Sequence, residues 1–364
     1  MFKKEIGISV YPIHTTVPDA CAYIKKAHEY GYTKLFTSLF YLGGSQFNEN
    51  VKKYKEVLAY AKKLDFYIIA DIGPEVVKAF NDDRYFTKIR KLGIDCIRLD
   101  TPLLAEQVAK ITHYGVDIQI NASYNSHFID NILDFKPVRE RISVMHNFYP
   151  KHSTGLNITF FNECNDKFYK LGLNIGAFVT SQTALYGQQL RKIDSLPTIE
   201  THRFLPIATQ AKQILANDKV ATVIISNYPA SNSELEALSL INFEKITLDV
   251  KTVKNISEVE QKILLHTEHF RRGDLTYRFI RSTSSRNLFK VDIKPSNVKN
   301  KFKQGDVIIL NKNDSHYQGE LWIITDSTFA LKGNNANLVG HVSNNDLLLL
   351  DYIKDWVWFG IKII

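Results

Sequence analysis

The amino-acid sequence predicts an α/β protein in which a (β/α)8 barrel, residues 1–243, is followed by a smaller β-barrel domain, residues 244–364. Three observations lead to this prediction. A unit of helix, glycine and strand recurs along about the first 230 residues, roughly eight apolar strands accompany it, and the pattern then changes to short strands with turn-rich links. A chain of 364 residues with 45% apolar content is also too long for one ordinary core.

The recurring unit places a glycine between an amphipathic helix and an apolar strand. These glycines fit helix C-caps, where the left-handed conformation brings no Cβ clash, and Asp65 takes the same position in a fifth unit. The glycines are Gly31, Gly93, Gly115 and Gly172. The strands, continuous apolar runs typical of parallel strands, are predicted at residues 6–10, 35–38, 67–70, 96–99, 118–121, 143–146, 175–179 and 222–226. An open doubly wound sheet is the alternative, but no GxGxxG motif follows the first strand.

After residue 243 the sequence reads as a small β-barrel. The strand-like segments are "KITLDVKTV", "LTYRFIRST", "GDVIILN", "GELWIITD" and "LLLLDYI". One sizeable helix is predicted in "NISEVEQKILLHTEHF".

Composition restricts the classes of partner. The net charge of +8 favours anionic partners, but the basic residues are spread along the chain, so a small anionic substrate is expected and nucleic acid is not. No stretch approaches the roughly 18 apolar residues of a membrane helix, so we expect a cytoplasmic protein without a membrane partner. Cys21, Cys96 and Cys164 lack CxxC spacing and fit buried thiols better than disulfides or a metal site.

In such a barrel the chemistry is expected at the C-terminal ends of the strands, where many of the apolar runs end in polar residues. The candidate site residues there are Tyr11, Asp71, Arg98, Asp100, Asn121, His146, Asn147 and Tyr149. The last three belong to the segment "HNFYPKHSTGL". Polar residues at strand ends also cap helices and satisfy loop backbone, which is the alternative for each of them.

Two of these residues are carboxylates. Asp71 ends the third strand, and Asp100 follows Arg98 by two residues, on the same face of the fourth strand. An ion pair between Arg98 and Asp100 either braces the barrel or keeps Asp100 ionised as a nucleophile or oxocarbenium stabiliser.

The segment "LPTIETHRFLP" offers a further group. Glu200 is a candidate acid and Arg203 a candidate anion clamp, with His202 between them. The alternative is an ordinary start of a helix, in which Glu200 balances the helix dipole.

The second domain begins with clustered arginines in "HFRRGDLTYRFIRSTSSR". They are either solvated and paired charges or, as a group, a phosphate-binding surface that reaches a ligand between the domains. The cluster consists of Arg271, Arg272, Arg278, Arg281 and Arg286.

Several motifs, in order, resemble those of the bacterial 6-phospho-N-acetylmuramidases, the MupG-type glycosidases. They are "GISVYP", "DIGP", "IRLD", "INAS", "HNFYPKHSTGL", "LPTIETHR", "RRGDLTYRFIRST" and "LLLLDYI", and they run from residue 6 to about residue 355. The resemblance implies a TIM barrel followed by a cyclophilin-like β-barrel. It also implies cytoplasmic hydrolysis of 6-phospho-N-acetylmuramic acid β-1,4-N-acetylglucosamine during recycling of cell-wall fragments, with no metal or redox cofactor.

The resemblance and the strand-end residues together suggest a two-carboxylate mechanism. Asp100 and Glu200 are the predicted pair, and Asp71 is the substitute for either. The residues predicted to contact the substrate are Tyr11, Arg98, Asn121, His146, Asn147, Tyr149 and His202. The residues predicted to hold its phosphate or carboxylate are Arg203 with Arg271 or Arg272.

The chain also departs from the family pattern. Family members carry a glutamate in a "YPE" motif after the first strand, whereas Ile13 follows Pro12 here, and "RLDTPLL" lacks the usual Gly-Phe pair near Asp100. A lyase or isomerase acting on another phosphorylated sugar therefore stays an alternative, as does a catalytically impaired sugar-phosphate binding protein. The sequence also leaves open whether the protein forms a homo-oligomer.

Overall fold

The computed structural model describes residues 2–40, 47–73, 89–99, 103–124, 126–189 and 193–364. The chain forms two compact units, Met1–Leu240 and Ile241–Ile364. The division lies three residues before the predicted boundary after residue 243.

The first unit contains a closed barrel of eight parallel strands that pair in chain order. The strands are β1 (Glu5–Ser9), β2 (Lys34–Ser38), β3 (Tyr67–Ile72), β4 (Cys96–Leu99), β5 (Asp117–Asn121), β6 (Ile142–Met145), β7 (Asn174–Val179) and β8 (Val220–Ile225). Each lies within two residues of its predicted position. The prediction of a TIM barrel followed by a smaller β-barrel domain is confirmed.

Helices alternate with these strands. Those of the described residues are α1 (Val17–Glu29), α2 (Phe47–Lys63), α3 (Ala105–His113), α4 (Phe128–Asp134), α5 (Ile158–Lys170), α6 (Ile207–Leu215) and α7 (Asn232–Ser239). Side chains cap the beginnings of α1, α5 and α7: Asn157, for example, accepts a hydrogen bond from the backbone of Phe160 at the start of α5. The four predicted C-cap glycines and Asp65 all have positive φ, as their position after a helix requires.

Aromatic side chains fill the barrel interior towards the C-terminal ends of the strands. Phe36 of β2, Phe178 of β7 and Phe148 after β6 contact one another edge to face, with ring centroids 5.0–6.1 Å apart. This cluster forms an apolar floor, above which the polar strand ends are placed.

The second unit is a seven-stranded sheet in the order β10-β15-β9-β14-β12-β13-β11. Its strands are β9 (Ile246–Thr252), β10 (His269–Phe270), β11 (Phe279–Ser282), β12 (Asp306–Leu310), β13 (Leu321–Ile324), β14 (Ala336–Val342) and β15 (Trp358–Ile363). The backbone N–H of Arg272, just after β10, donates to the carbonyl of Arg281 in β11 at 2.9 Å. The two edge strands therefore meet, and the sheet nearly closes into a barrel.

Two predictions for this unit need correction. The segment "LLLLDYI" is not a strand: its first six residues lie in a 3₁₀ helix, Asn344–Tyr352, and Ile353 is the C-cap. A continuous apolar run fits a buried helix as well as a strand, and here Leu349 and Leu350 are buried by the helical turn. The predicted helix is shorter than expected: α8 (Glu258–Leu264) begins at the cap residue Ser257, and the last residues of the quoted segment form β10.

Candidate active site

A buried ion pair joins the C-terminal ends of two neighbouring strands. Asp71 of β3 lies opposite Arg98 of β4 in the parallel register, and the Arg98 Nη1 donates to Asp71 Oδ1 at 2.9 Å. Asp71 is 0% exposed and Arg98 is 2% exposed. A charged pair this well buried is stable only with good geometry, because both groups have left water.

Arg98 links this pair to the segment after β6. Its Nη2 donates to the side-chain oxygen of Asn147, and the Asn147 backbone N–H donates to Ser123 Oγ at 2.8 Å. A cavity of about 300 Å3 opens at this point. Its lining consists of Phe40, Arg98, Asn147, Phe148, Pro150, Gly187, Gln188, Gln189, Ile193 and Leu196.

His146 supports the same segment from below. Its Nε2 lies 2.9 Å from Asn165 Oδ1, which only accepts, so Nε2 carries the proton and Nδ1 faces Ser123 Oγ at 3.4 Å. Burial lowers the pKa of His146 to about 4, the hydrogen bond that its Nε2 donates to Asn165 acts in the opposite direction, and the Arg98 charge lowers the pKa further. His146 is therefore a neutral, fully buried ring that orients Ser123 and, through it, Asn147.

The other predicted substrate contacts of the barrel differ in exposure. Tyr11 is fully buried and donates its hydroxyl to the carbonyl of Ser226 at 2.7 Å, and burial raises its pKa. Asn121 is partly exposed and accepts from the Ser123 backbone at 2.8 Å. Tyr149 is half-buried; burial raises its pKa, while a hydrogen bond to Ser123 works in the opposite direction. Of these three side chains, Asn121 and Tyr149 retain solvent access.

Glu200 and Arg203 form a second ion pair, on the loops at the same end of the barrel. Arg203 Nε and Nη2 donate to the two carboxylate oxygens of Glu200 at 2.7 and 2.6 Å. The backbone N–H groups of Ser153 and Gly155 donate to the same oxygens at 2.9 and 2.7 Å. The hydrogen bond from Arg203 is the largest cause that lowers the pKa of Glu200 to about 2.

The guanidinium of Arg203 uses all five of its N–H donors within the protein. Besides Glu200, it donates to the Tyr149 carbonyl, the Lys151 carbonyl and the Ser195 hydroxyl at 3.0–3.1 Å. Glu200 as an acid and Arg203 as an anion clamp stay predictions. This geometry instead favours a pair that holds the loop of residues 149–155 in place.

His202 points into the core rather than to solvent. Its Nε2 lies 2.6 Å from Gln213 Oε1 on α6, and burial lowers its pKa to about 4. The side chain is 0% exposed, which favours a packing role for it.

In the second unit, the Arg271 guanidinium hydrogen-bonds to the backbone: it donates to the carbonyls of Ile353 and Thr276, each at 2.8 Å. Arg272 is partly exposed and pairs with Asp274 at 2.8 Å. Their binding of an anionic group stays a prediction. Asp100, the remaining predicted carboxylate, lies outside the described residues.

The segment that departs from the family pattern adjoins the cavity. Ile13 lies in a short 3₁₀ helix, Pro12–His14. The next residue, His14, hydrogen-bonds through Nε2 to the carbonyl of Gln189 at 2.9 Å and stacks on Tyr186 with ring centroids 4.8 Å apart. Burial lowers the pKa of His14. A neutral imidazole thus supports one wall of the cavity.

Family models for both parts of a 6-phospho-N-acetylmuramidase match the chain, the N-terminal part at residues 6–240 and the C-terminal part at residues 246–362. The chain belongs to the 6-phospho-N-acetylmuramidase family. The family resemblance predicted from the motifs is therefore confirmed, and the family name indicates a glycosidase.

Two solved structures are similar to this 6-phospho-N-acetylmuramidase family member over nearly its whole length. An uncharacterized B. cereus protein is 34% identical with a TM-score of 0.91, covering 99% of this chain and 100% of the other. A conserved Enterococcus faecalis protein of unknown function is 25% identical with a TM-score of 0.72, covering 99% and 96%. The search of curated proteins gave no significant match.

Within the described ranges, no group of three or more His, Cys, Asp or Glu side chains could hold a metal ion. None of the described helices is long and apolar enough to cross a membrane. That this family member needs no metal or cofactor stays a prediction.

Sequence reasoning missed two residues of this 6-phospho-N-acetylmuramidase site. Phe148 lies within a quoted motif, yet only the structure shows that it both packs on the aromatic floor and lines the cavity. Asn165 holds His146 from α5. The sequence contains a sign of this role, because Asn165 is a polar residue on the face of α5 that also carries the apolar residues Phe161, Cys164 and Phe168.

Proposed function

We propose that the chain hydrolyses the β-1,4 bond of 6-phospho-N-acetylmuramic acid-N-acetylglucosamine during recycling of cell-wall fragments in the cytoplasm. The observation that carries this proposal is the Asp71–Arg98 ion pair beside a cavity at the C-terminal end of the barrel. Glycosidases of this kind use carboxylates on either side of the scissile bond. Membership of the 6-phospho-N-acetylmuramidase family supports the choice of sugar.

In this proposal Asp71 is the ionised carboxylate. An arginine at 2.9 Å favours the charged form of its partner, as is needed to stabilise or attack an anomeric carbon with oxocarbenium character. The proton for the leaving O4 of N-acetylglucosamine comes from the second carboxylate, and water supplies the new oxygen at the anomeric carbon. The sequence suggested Glu200 as the acid and Asp100 as the ionised carboxylate. Because Arg203 favours the charged form of Glu200, Asp100 is proposed for the second role instead.

Asn147 and Tyr149 are proposed to orient the sugar. Asn147 lines the cavity beside Arg98, and Tyr149 keeps solvent access on the same segment. His146 acts on the substrate only through Ser123 and Asn147, because its ring is fully buried. Glu200 and Arg203 are proposed to hold the loop that carries Tyr149.

The cellular setting belongs to the same proposal. All three cysteines are free, which suits a reducing compartment such as the cytoplasm. A small anionic disaccharide as the partner, no nucleic acid or membrane partner, and a homo-oligomer stay predictions.

The test compares the phosphorylated disaccharide with its unphosphorylated counterpart in water enriched in 18O, with products measured by mass spectrometry. We expect one 18O at the anomeric carbon of the 6-phosphosugar. Loss of the phosphate contacts should lower kcat/KM by about 100-fold, the effect of losing one or two charged hydrogen bonds.

An ultraviolet-absorbing product without 18O would show an elimination and favour the lyase alternative. Equal turnover of both disaccharides would contradict recognition of the phosphate. Binding of the phosphorylated sugar without any turnover would favour the impaired binding protein that Ile13 suggests.

A further inference from the structure

The N-terminal half of the barrel interior has an unusual composition. In TIM barrels these positions are mostly filled by bulky branched residues. Here a cavity of about 420 Å3 lies among the first residues of the strands. The polar side chains that line it include Lys34, Tyr67, Asp117, Gln119, Asn174 and Thr222. This cavity is larger than the one beside Arg98, and the two share no lining residue.

Small residues leave this layer of the interior open. Ser143 and Thr222 line the cavity where larger apolar side chains would close it. Protein interiors are normally close-packed, and a space above roughly 300 Å3 is within the range of small-molecule sites. The space is therefore large enough for one small ligand.

Two buried acceptors in the cavity lack a partner among the described residues. Gln119 Oε1 and Asn174 Oδ1 make no hydrogen bond, although Gln119 is only 4% exposed. The Gln119 Nε2 reaches Ser143 Oγ only at 3.5 Å. A buried polar atom without a partner destabilises the folded state, and both of these atoms would accept hydrogen bonds from hydroxyl groups of a ligand.

The rim of the cavity carries three cations, Lys34, Arg139 and Arg141, and two carboxylates, Asp117 and Glu140. Lys34 pairs with Glu5, which is not part of the lining, at 3.1 Å. Arg141 pairs with Asp117 at 2.9 Å. Arg139 donates one bond to a backbone carbonyl, and none of the described carboxylates pairs with it. An anionic group at the rim would meet the Arg139 guanidinium, whose remaining donors suit an oxyanion.

We propose that this cavity is a second binding site, for a small polyhydroxylated anion of the size of a monosaccharide phosphate. Its hydroxyl groups donate to Gln119 and Asn174 inside the barrel, and its anionic group lies at Arg139 on the rim. The site is formed by the beginnings of the strands, whereas the candidate active site is formed by their ends. It therefore stands independently of the hydrolytic function proposed above.

The test is calorimetric titration of the full chain with glucose 6-phosphate, with glucose and inorganic phosphate as the two halves of the probe. Glucose 6-phosphate should bind at least about 10-fold more tightly than either half. Gln119→Met and Arg139→Ala should each weaken it by about 10-fold, the usual effect of losing one good hydrogen bond to a ligand. Arg139→Ala should also remove the preference over glucose.

Asn147→Ala is the matched control, because it alters the cavity at the other end of the barrel and should leave this affinity unchanged. Arg139 is exposed, so its variant keeps the test valid even if the buried Gln119→Met fails to fold. No binding of glucose 6-phosphate at about 10 mM would mean a cavity that holds only water, and would overturn the proposal. Binding that survives both variants and is lost in Asn147→Ala would overturn it as well.

Discussion

Two arginine–carboxylate pairs lie at the C-terminal end of the barrel, and they have the same chemistry but different surroundings. Arg203 and Glu200 are three residues apart in one loop, and every donor of the arginine and both oxygens of the carboxylate are engaged by nearby protein groups. Arg98 and Asp71 come from two strands of the barrel, and Arg98 lines the cavity. Neither residue of the first pair lines this cavity, whereas Arg98 of the second pair does.

The difference shows that the residue type does not decide the role of an ion pair. Glu200 joins Arg203 to the backbone of Ser153 and Gly155, so its four hydrogen bonds fix the course of a loop. A side chain on a β-carbon of Gly155 would collide with Glu200, since that carbon would lie 2.7 Å from Oε2. The ion pair and the loop therefore depend on each other, whereas Asp71 is held on a barrel strand and pairs with Arg98, which lines the cavity.

The largest expected effect separates the two carboxylates by activity. Asp71→Asn keeps the shape of the side chain but removes its charge, and we expect turnover of the phosphorylated disaccharide to fall by about 10³-fold, or ~4 kcal/mol. The turnover of Glu200→Gln should stay within about 10-fold of that of the unsubstituted protein, because the lost charge contributes only to a contact within the loop. Initial rates measured by product release check both values.

Circular dichroism of both variants controls for folding. If Glu200→Gln lost as much activity as Asp71→Asn while keeping the spectrum of the unsubstituted protein, Glu200 would be part of the catalytic pair, as the sequence predicted, and the two ion pairs would not differ in role.

How far the sequence could predict this site depends on whether the signal is local. Strand positions and C-cap glycines follow from local patterns, and all eight barrel strands are found close to their predicted positions. Because side chains alternate between the two faces of a strand, the sequence also predicted that Arg98 and Asp100 share one face. The register between neighbouring strands does not follow from local patterns. In the structure, Arg98 lies beside Asp71 of the adjacent strand, which comes 27 residues earlier in the chain.

The same limit applies to the contacts of Glu200 and His146. The spacing of Glu200 and Arg203 could suggest their pairing, but the Ser153 and Gly155 amides come from a loop 47 and 45 residues away. His146 was singled out as a polar strand end, yet its neutral state depends on Asn165 of α5 and on burial that only the folded chain provides. Buried polar partners are thus the part of the site that pattern reading could not predict.

A smaller effect is expected on stability. Arg203→Met removes all five donors of a 1% exposed guanidinium, and leaves the Glu200 charge and two backbone carbonyls without their partner. We expect the barrel unit to lose about 2 kcal/mol of unfolding free energy, less than for a fully buried pair, because the Glu200 side chain is 31% exposed and keeps some contact with water. Urea unfolding followed by far-ultraviolet circular dichroism measures this loss.

Arg272→Met is the matched control, because Arg272 is partly exposed and its pair with Asp274 should contribute less than about 1 kcal/mol. Trp322, Trp356 and Trp358 all lie in the second unit, so tryptophan fluorescence reports on that unit alone. If Arg203→Met lost no more unfolding free energy than Arg272→Met, the ion pair of Glu200 and Arg203 would not stabilise the barrel unit.

The smallest effect concerns pH, and it tests the charge state of the loop pair directly. The pKa of Glu200 is lowered to about 2, below the ordinary 4.5, so the folded state favours the carboxylate. Its contribution is complete above about pH 4.5 and is lost as the pH falls towards 2. His146 and His202, with pKa values lowered to about 4, add an earlier loss of stability between about pH 6.5 and 4, because the unfolded chain binds their protons first.

We expect Glu200→Gln to leave the loss of stability above pH 4.5 unchanged. Below pH 4.5 its stability curve should be flatter by about 1–2 kcal/mol, the range of hydrogen bonds to a charged group. Urea unfolding between pH 7 and 3 measures both parts of the curve. A parallel curve for Glu200→Gln below pH 4.5 would show that the folded protein does not hold Glu200 in its charged form, and would remove the distinction between the two ion pairs.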